Sequence, residues 1–123
     1  MKQEKGMKGL IGLAVESLGV AVTIIDTKGI LLYYNEKAAQ ILDRRPEYIG
    51  KDVYSHHKKA ASSKKLETMI QAFSKGRREP FHYKARPYGK DILVTLSPIL
   101  ENDEFIGCAQ IVHLKEDLES NFS

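Results

Sequence analysis

Four histidines and one cysteine are the side chains of this 123-residue chain best suited to nucleophilic, acid–base or metal chemistry. His56 and His57 are adjacent and run into Lys58-Lys59, the least generic stretch of the sequence, while His82 and His113 fall in later segments. An unperturbed imidazole titrates at about 6.5, so such a pair is a candidate pH sensor. Cys108 has no second cysteine, which excludes an internal disulfide and a cysteine-pair zinc site, and it fits a reducing, cytoplasmic compartment. Alone in an apolar run, it reads as a small buried hydrophobe. Asp26, Asp43 and Asp52 fall at turns or short helices, where capping is their ordinary task. The chain has neither a phosphate-cradling glycine loop nor a Gly-x-Ser-x-Gly elbow. The expectation is a non-enzyme, with no catalytic residue and no metal site assigned.

The elements that must position these side chains follow from periodicity. Val20, Val22 and Ile24 alternate with Ala21, Thr23 and Ile25, a strand with two unequal faces. Asp26-Thr27-Lys28-Gly29 is a turn, and Ile30 to Tyr34 is a second strand paired antiparallel with the first. Asn35 is placed to cap a helix over Glu36–Leu42. Pro46–Ile49 is a further short helix ended by Gly50. Ser62 or Ser63 opens a longer helix to about Ser74, with Leu66, Met69, Ile70 and Phe73 as its buried stripe and Gly76 as its stop. Phe81–Arg86, Asp91–Ile99 and Phe105–Leu114 are three more strands, with Glu101-Asn102-Asp103-Glu104 as a polar hairpin loop. Pro98 marks an edge or a bulge. Ahead of them all, Met7, Leu10, Ile11, Ala14, Val15 and Leu18 form the apolar face of an amphipathic helix, weakened by Gly6, Gly9 and Gly12.

This series resembles a PAS domain. The resemblance rests on strand, Asp-x-x-Gly turn, strand, the Asn35-x-x-Ala38-Ala39 helix, and Tyr48-Ile49-Gly50-Lys51-Asp52-Val53. A last hairpin built from Ile92–Ile99 and Phe105-Ile106-Gly107 completes it. Two positions depart from the family pattern: Asp43 stands where many members have glycine, and Leu114-Lys115-Glu116 replaces the usual Asp-Ile-Thr exit. The resemblance implies an α+β fold, a five-stranded antiparallel sheet with helices on one face and an N-terminal helix. The segments are residues 1–17 (N-terminal amphipathic helix), 18–114 (sensory domain) and 115–123 (polar tail).

It also implies an apolar pocket that holds haem, a flavin, a small carboxylate or nothing. The residues expected to line it are Ile24, Tyr34, Ala38, Ile41 and Leu42 from the first half, with Met69, Ile70, Phe73, Val94 and Leu96 from the second. They are equally the core. The photochemical cysteine of the flavin-photoreceptor branch has no counterpart in Tyr48–Asp52, and the helix Leu66–Ser74 lacks the histidine of the oxygen-sensing branch. For haem, the candidate axial ligand is His57, with His56, His82 and His113 behind it. The segment from Gly50 to His57, with Lys75–Arg78, is similar to PAS modules appended to hemerythrin-like domains, although of their Cys-His-Pro-Pro only His57 is present.

Length and composition fit one globular domain. No apolar run is long enough to span a bilayer, and no signal peptide is expected. The net charge of +3 is mild, and Lys58-Lys59, Lys64-Lys65 and Lys75–Arg78 read as solvated faces. A nucleic-acid partner would require salt-dependent binding through Lys64 and Lys65; none is expected, because no aromatic residues interleave with these charges. Three function classes result: a ligand sensor, a dimerisation module using Met7, Leu10, Ile11 and Ala14 with the exposed sheet face, and, last, a nucleic-acid binder. The first two join in the main expectation, a signal-transduction homodimer that passes a population shift to an output domain, such as a kinase or a transcription regulator.

Overall fold

The computed structural model describes residues 9–53 and 60–121. Its elements are α1 (Gly9–Ser17), β1 (Ala21–Ile25), β2 (Leu31–Tyr34), α2 (Glu36–Leu42), α3 (Ala60–Ser74), β3 (Phe81–Ala85), β4 (Ile92–Glu101), β5 (Glu104–Leu114) and α4 (Lys115–Asn121), with a 3-10 turn at Pro46–Tyr48. The strands form one antiparallel sheet in the order β2-β1-β5-β4-β3. The α+β, five-stranded expectation is met.

Local chemistry explains the turns. Asp26 Oδ1 accepts from the amides of Lys28 (2.8 Å) and Ile30 (3.0 Å), which closes the β1–β2 turn, and Gly29 takes φ +84° there. Asn102 and Asp103 both have positive φ, 51° and 67°, the signature of the two-residue hairpin turn that matches strand twist. Asp43 ends α2 in the left-handed region, φ 56°. Glycine takes that region without strain, and aspartate is among the few other residues that tolerate it.

Two clusters fill the inner face of the sheet. One joins Ile25, Leu96 and Cys108 to the α3 stripe Leu66, Met69, Ile70 and Phe73. The Phe73 ring lies 5.3 Å from Phe81 and 5.7 Å from Phe105. The other joins Ala21, Ile92, Val94 and Val112 to Ala38, Ile41 and Leu42 of α2.

Asn35 does more than cap. Its side chain is fully buried, and Oδ1 accepts from Ala38 N (3.0 Å) and Val22 N (2.9 Å). Nδ2 donates to the carbonyls of Val15 (2.8 Å) and Val20 (3.0 Å). One amide thus ties the end of α1, the start of β1 and the first turn of α2 together.

Some expectations need correction. Ser62 and Ser63 lie inside α3, which begins at Ala60; the Ala60-Ala61 pair favours helix and carries it back past the serines. Ile30 belongs to an isolated bridge with Asp52 rather than to β2. Pro98 sits in an interior strand, but β3 pairs only as far as Leu96, so β4 is locally an edge at the proline. The irregularity in that strand falls beyond it, between Ile99 and Leu100. The residues after Leu114 form helix α4, where a short helix and fraying were both open.

Candidate functional site

A cavity of about 220 Å³ lies between the inner face of the sheet and the helices. Ile92 and Val94 of β4 and Val112 of β5 form its apolar floor, with Leu42 of α2 and Met69 of α3 opposite. Tyr83 and Ala85 of β3 close one side, and the turn Arg86-Pro87-Tyr88 stands at its mouth. Tyr88 is held there at φ 54°, a conformation that side chains larger than glycine rarely adopt. Burial raises the pKa of its phenol, and Asp43 adds to the rise.

Three cations complete the wall: Arg44, Lys65 and Arg86. Arg44 is only 5% exposed. Its Nη2 donates to Gln110 Oε1 at 3.1 Å and its Nε to Thr23 Oγ1 at 3.4 Å. Thr23 and Gln110 are direct cross-strand partners on β1 and β5, so the sheet itself presents the acceptors that fix this guanidinium. A guanidinium keeps its proton at any ordinary pH, so burial leaves a fixed positive charge in the cavity wall. Lys65 lies over the Tyr83 ring, 4.0 Å from its centre. Arg86 pairs with Asp91 at 3.3 Å, a solvated contact. Among the described residues that line the cavity there is no Asp or Glu.

Of the residues expected in the pocket, Leu42, Met69 and Val94 line it. Ala38, Ile41, Ile70, Phe73 and Leu96 are buried in the flanking clusters, and Tyr34 packs against the α2 cluster. Ile24 was expected in the pocket but alternates with Thr23 and Ile25, which face inward, and so lies on the opposite face of the sheet. His57 and His56 lie outside the described residues, as does Met7. His82 is exposed, and its Nδ1 is 3.1 Å from Thr95 Oγ1. His113 pairs across strands with Leu93, on the face away from Val94 and Val112. The described residues do not fit a haem: neither of these histidines faces the cavity, and its volume falls below the range of about 300–1,000 Å³ typical of larger ligands. Among the described residues no cluster of metal-ligating side chains occurs.

Leu10, Ile11 and Leu13 of α1 are 80%, 69% and 67% exposed, and Ala14 is exposed beside them. Near the end of α1, Glu16 accepts a 2.6 Å hydrogen bond from the Tyr33 hydroxyl, whose pKa burial and this carboxylate both raise. Of the basic clusters, Arg77 stacks on Phe81 at 3.8 Å and donates to the carbonyls of Glu79 and Pro80, while Arg78 donates to those of Phe73 and Asp103. These two arginines bind the α3–β3 loop together.

Thr23, Arg44 and Gln110 were missed as site residues. Their signal was present: Thr23 and Gln110 are polar residues at inward positions of otherwise apolar strands, and a buried polar side chain needs a partner.

The comparisons with known proteins agree with this geometry. A family model described as PAS domain matches residues 13–113. No curated protein sequence matches. Among solved structures, a C-terminal domain from Streptococcus mutans is similar at TM-score 0.71 and 20% identity, over 90% of this chain and 87% of that one. The PAS domain of Bordetella pertussis BvgS is similar at TM-score 0.68 and 12% identity, over 89% of each chain. The photoactive yellow protein domain of the sensor histidine kinase Ppr from Rhodospirillum centenum is similar at TM-score 0.61 and 15% identity, over 86% of this chain and 93% of that one. The fold, the order of its elements and the family match over residues 13–113 place this chain in the PAS domain family, whose members are sensory and signal-transduction modules.

Proposed function

We propose that the chain senses a small molecule held in the cavity between the sheet and helices α2 and α3. The observation that carries this reading is the cavity itself, about 220 Å³ with an apolar floor and a few convergent polar groups. An engineered apolar cavity of about 150 Å³ already takes up benzene, so the space suits a ring or a short chain. Occupancy would favour one arrangement of α2, α3 and the mouth turn, and Asn35 links that region to α1. The role is binding rather than catalysis, in the cytoplasm and ahead of a downstream output domain. The test is thermal stability against a chemically diverse set of small molecules, with Val94→Phe as a cavity-filling control. Stabilisation of the native protein that is lost in a folded Val94→Phe variant supports the reading; no stabilisation by any compound overturns it.

The exposed apolar face of α1 favours a second, compatible role as a homodimer contact. Sedimentation across dilution tests it. A dimer that Leu10→Asp or Ile11→Asp dissociates supports the contact; a monomer at every concentration removes it.

A further inference from the structure

We infer that Tyr88 is the gate of the cavity: its ring closes the mouth between the β3–β4 turn and the end of α2 and controls entry. The use of such a gate rests on the reading of the cavity as a ligand site. Leu42 and Arg44, at the end of α2, line one side of the cavity, and Pro87 and Tyr88 line another. Tyr88 is 52% exposed, a ring half in solvent and half against the protein. Burial, and after it the carboxylate of Asp43, raises the pKa of its phenol. Asp43 is the C-cap of α2, so the hydroxyl end of the ring lies toward the far rim of the mouth.

The turn that carries this ring suits a different residue. Lys90 N donates to Pro87 O at 3.1 Å, and the two residues between them, Tyr88 and Gly89, have φ 54° and 75°. Positive φ at both central positions is the type I′ hairpin turn, which favours Asn, Asp or Gly first and Gly second. Gly89 fits that pattern and Tyr88 does not. The other non-glycine residues with positive φ among the described residues are Asp43, Asn102 and Asp103, all of the types that tolerate the left-handed region. Tyr88 is the bulky exception. Strain of this kind persists where the surrounding structure holds it, and it clusters at ligand clamps and switch regions. Rotation of the side chain swings the ring into solvent and leaves the turn intact, so entry follows the fraction of time the ring is out.

The experiment measures access without a ligand. Val94 on the cavity floor becomes the reporter as Val94→Cys, in a chain that also carries Cys108→Ala, and its modification by methyl methanethiosulfonate is followed by mass spectrometry. A gate closed about nine-tenths of the time predicts that Tyr88→Asn speeds modification about tenfold, whereas Tyr88→Phe, which keeps the ring, stays within about twofold of the parent. Met69→Cys, on the opposite wall, replaces the reporter if Val94→Cys does not fold. Asparagine suits the turn, so the urea midpoint of Tyr88→Asn should equal or exceed that of its parent, and faster modification then cannot come from global unfolding. Cys108 in the otherwise native chain does not line the cavity, and Tyr88→Asn should not speed its modification. A reporter rate that Tyr88→Asn leaves unchanged, an equal rise at Cys108, or a Tyr88→Phe rate as high as that of Tyr88→Asn overturns the gate and leaves the ligand cavity standing. A lowered midpoint for Tyr88→Asn overturns the claim that the turn is strained for the sake of the ring. Failure of the thermal screen overturns the ligand reading, while the access rates still decide whether Tyr88 closes the mouth.

Discussion

Replacement of Asn35 by alanine removes four hydrogen bonds at once. Two are to backbone amides in the buried interior, Val22 N at 2.9 Å and Ala38 N at 3.0 Å. The other two are to the carbonyls of Val15 and Val20, in partly buried settings that water can reach once the side chain is gone. A typical bond contributes about 1 kcal/mol net, and an orphaned buried N–H costs about 1–3 kcal/mol. The loss is therefore about 3–5 kcal/mol, a large share of the 5–15 kcal/mol typical of a domain. Asn35→Asp separates the two halves of the network. It keeps Oδ1 as an acceptor but turns a carboxylate oxygen toward two carbonyls, so its carboxyl should hold its proton to a higher pH than usual. A group whose pKa is raised by folding contributes stability at low pH that is lost as pH rises through the folded value, so this variant should recover part of its deficit in mild acid. The chain has no tryptophan, so urea unfolding is best followed by far-ultraviolet circular dichroism. A loss below about 1 kcal/mol for Asn35→Ala, or an Asn35→Asp variant more stable at neutral than at acid pH, would refute the reasoning.

Gly107→Ala should destabilise by about 1–3 kcal/mol in the same assay, because its Cβ would stand 2.6 Å from the Ile25 carbonyl oxygen. Asp43→Gly should change stability by less than about 1 kcal/mol, and Asp43→Val should cost about 1–2 kcal/mol, since position 43 requires a left-handed backbone. Burial pushes the Cys108 thiol up to about 12 from its ordinary 9.0. Native protein should react with a thiol reagent only on opening. The stability that Cys108 confers over Cys108→Ala, measured by urea unfolding, should be intact below pH 9.0 and should fall as pH rises toward about 12. Added haemin should give no Soret band that is lost in His57→Ala; such a band would make the haem-ligand expectation for His57 the better account.

The fold was legible in the sequence because its signals are local. Asp26 and Gly29 announce a turn, Asn35 a helix start, and Leu66, Met69, Ile70 and Phe73 a buried stripe. The site was legible only in part. Leu42, Met69 and Val94 could be placed because apolar periodicity points them inward, but alternation alone does not say which face of β1 is the inner one, and Ile24 went to the wrong side. A bulge in the β1–β2 pairing adds to the difficulty. It leaves Leu31 opposite Ile25 and Tyr33 opposite Ile24, so both Leu31 and Tyr34 turn inward, which strict alternation forbids. Arg44 reads as one more surface cation beside Arg45 until the sheet brings Thr23 and Gln110 together, 87 positions apart in sequence, as its partners.

The central claim is that the cavity seats a small ligand, and methyl-labelled nuclear magnetic resonance tests it most directly. Titration with single-ring and short-chain members of the diverse set should move the methyl signals of Leu42, Met69, Ile92, Val94 and Val112 in a saturable way. The methyls of Ile24 and Leu93, on the opposite face, should stay still. Cavity signals that none of these compounds moves, or shifts confined to the outer face or to α1, would contradict the account.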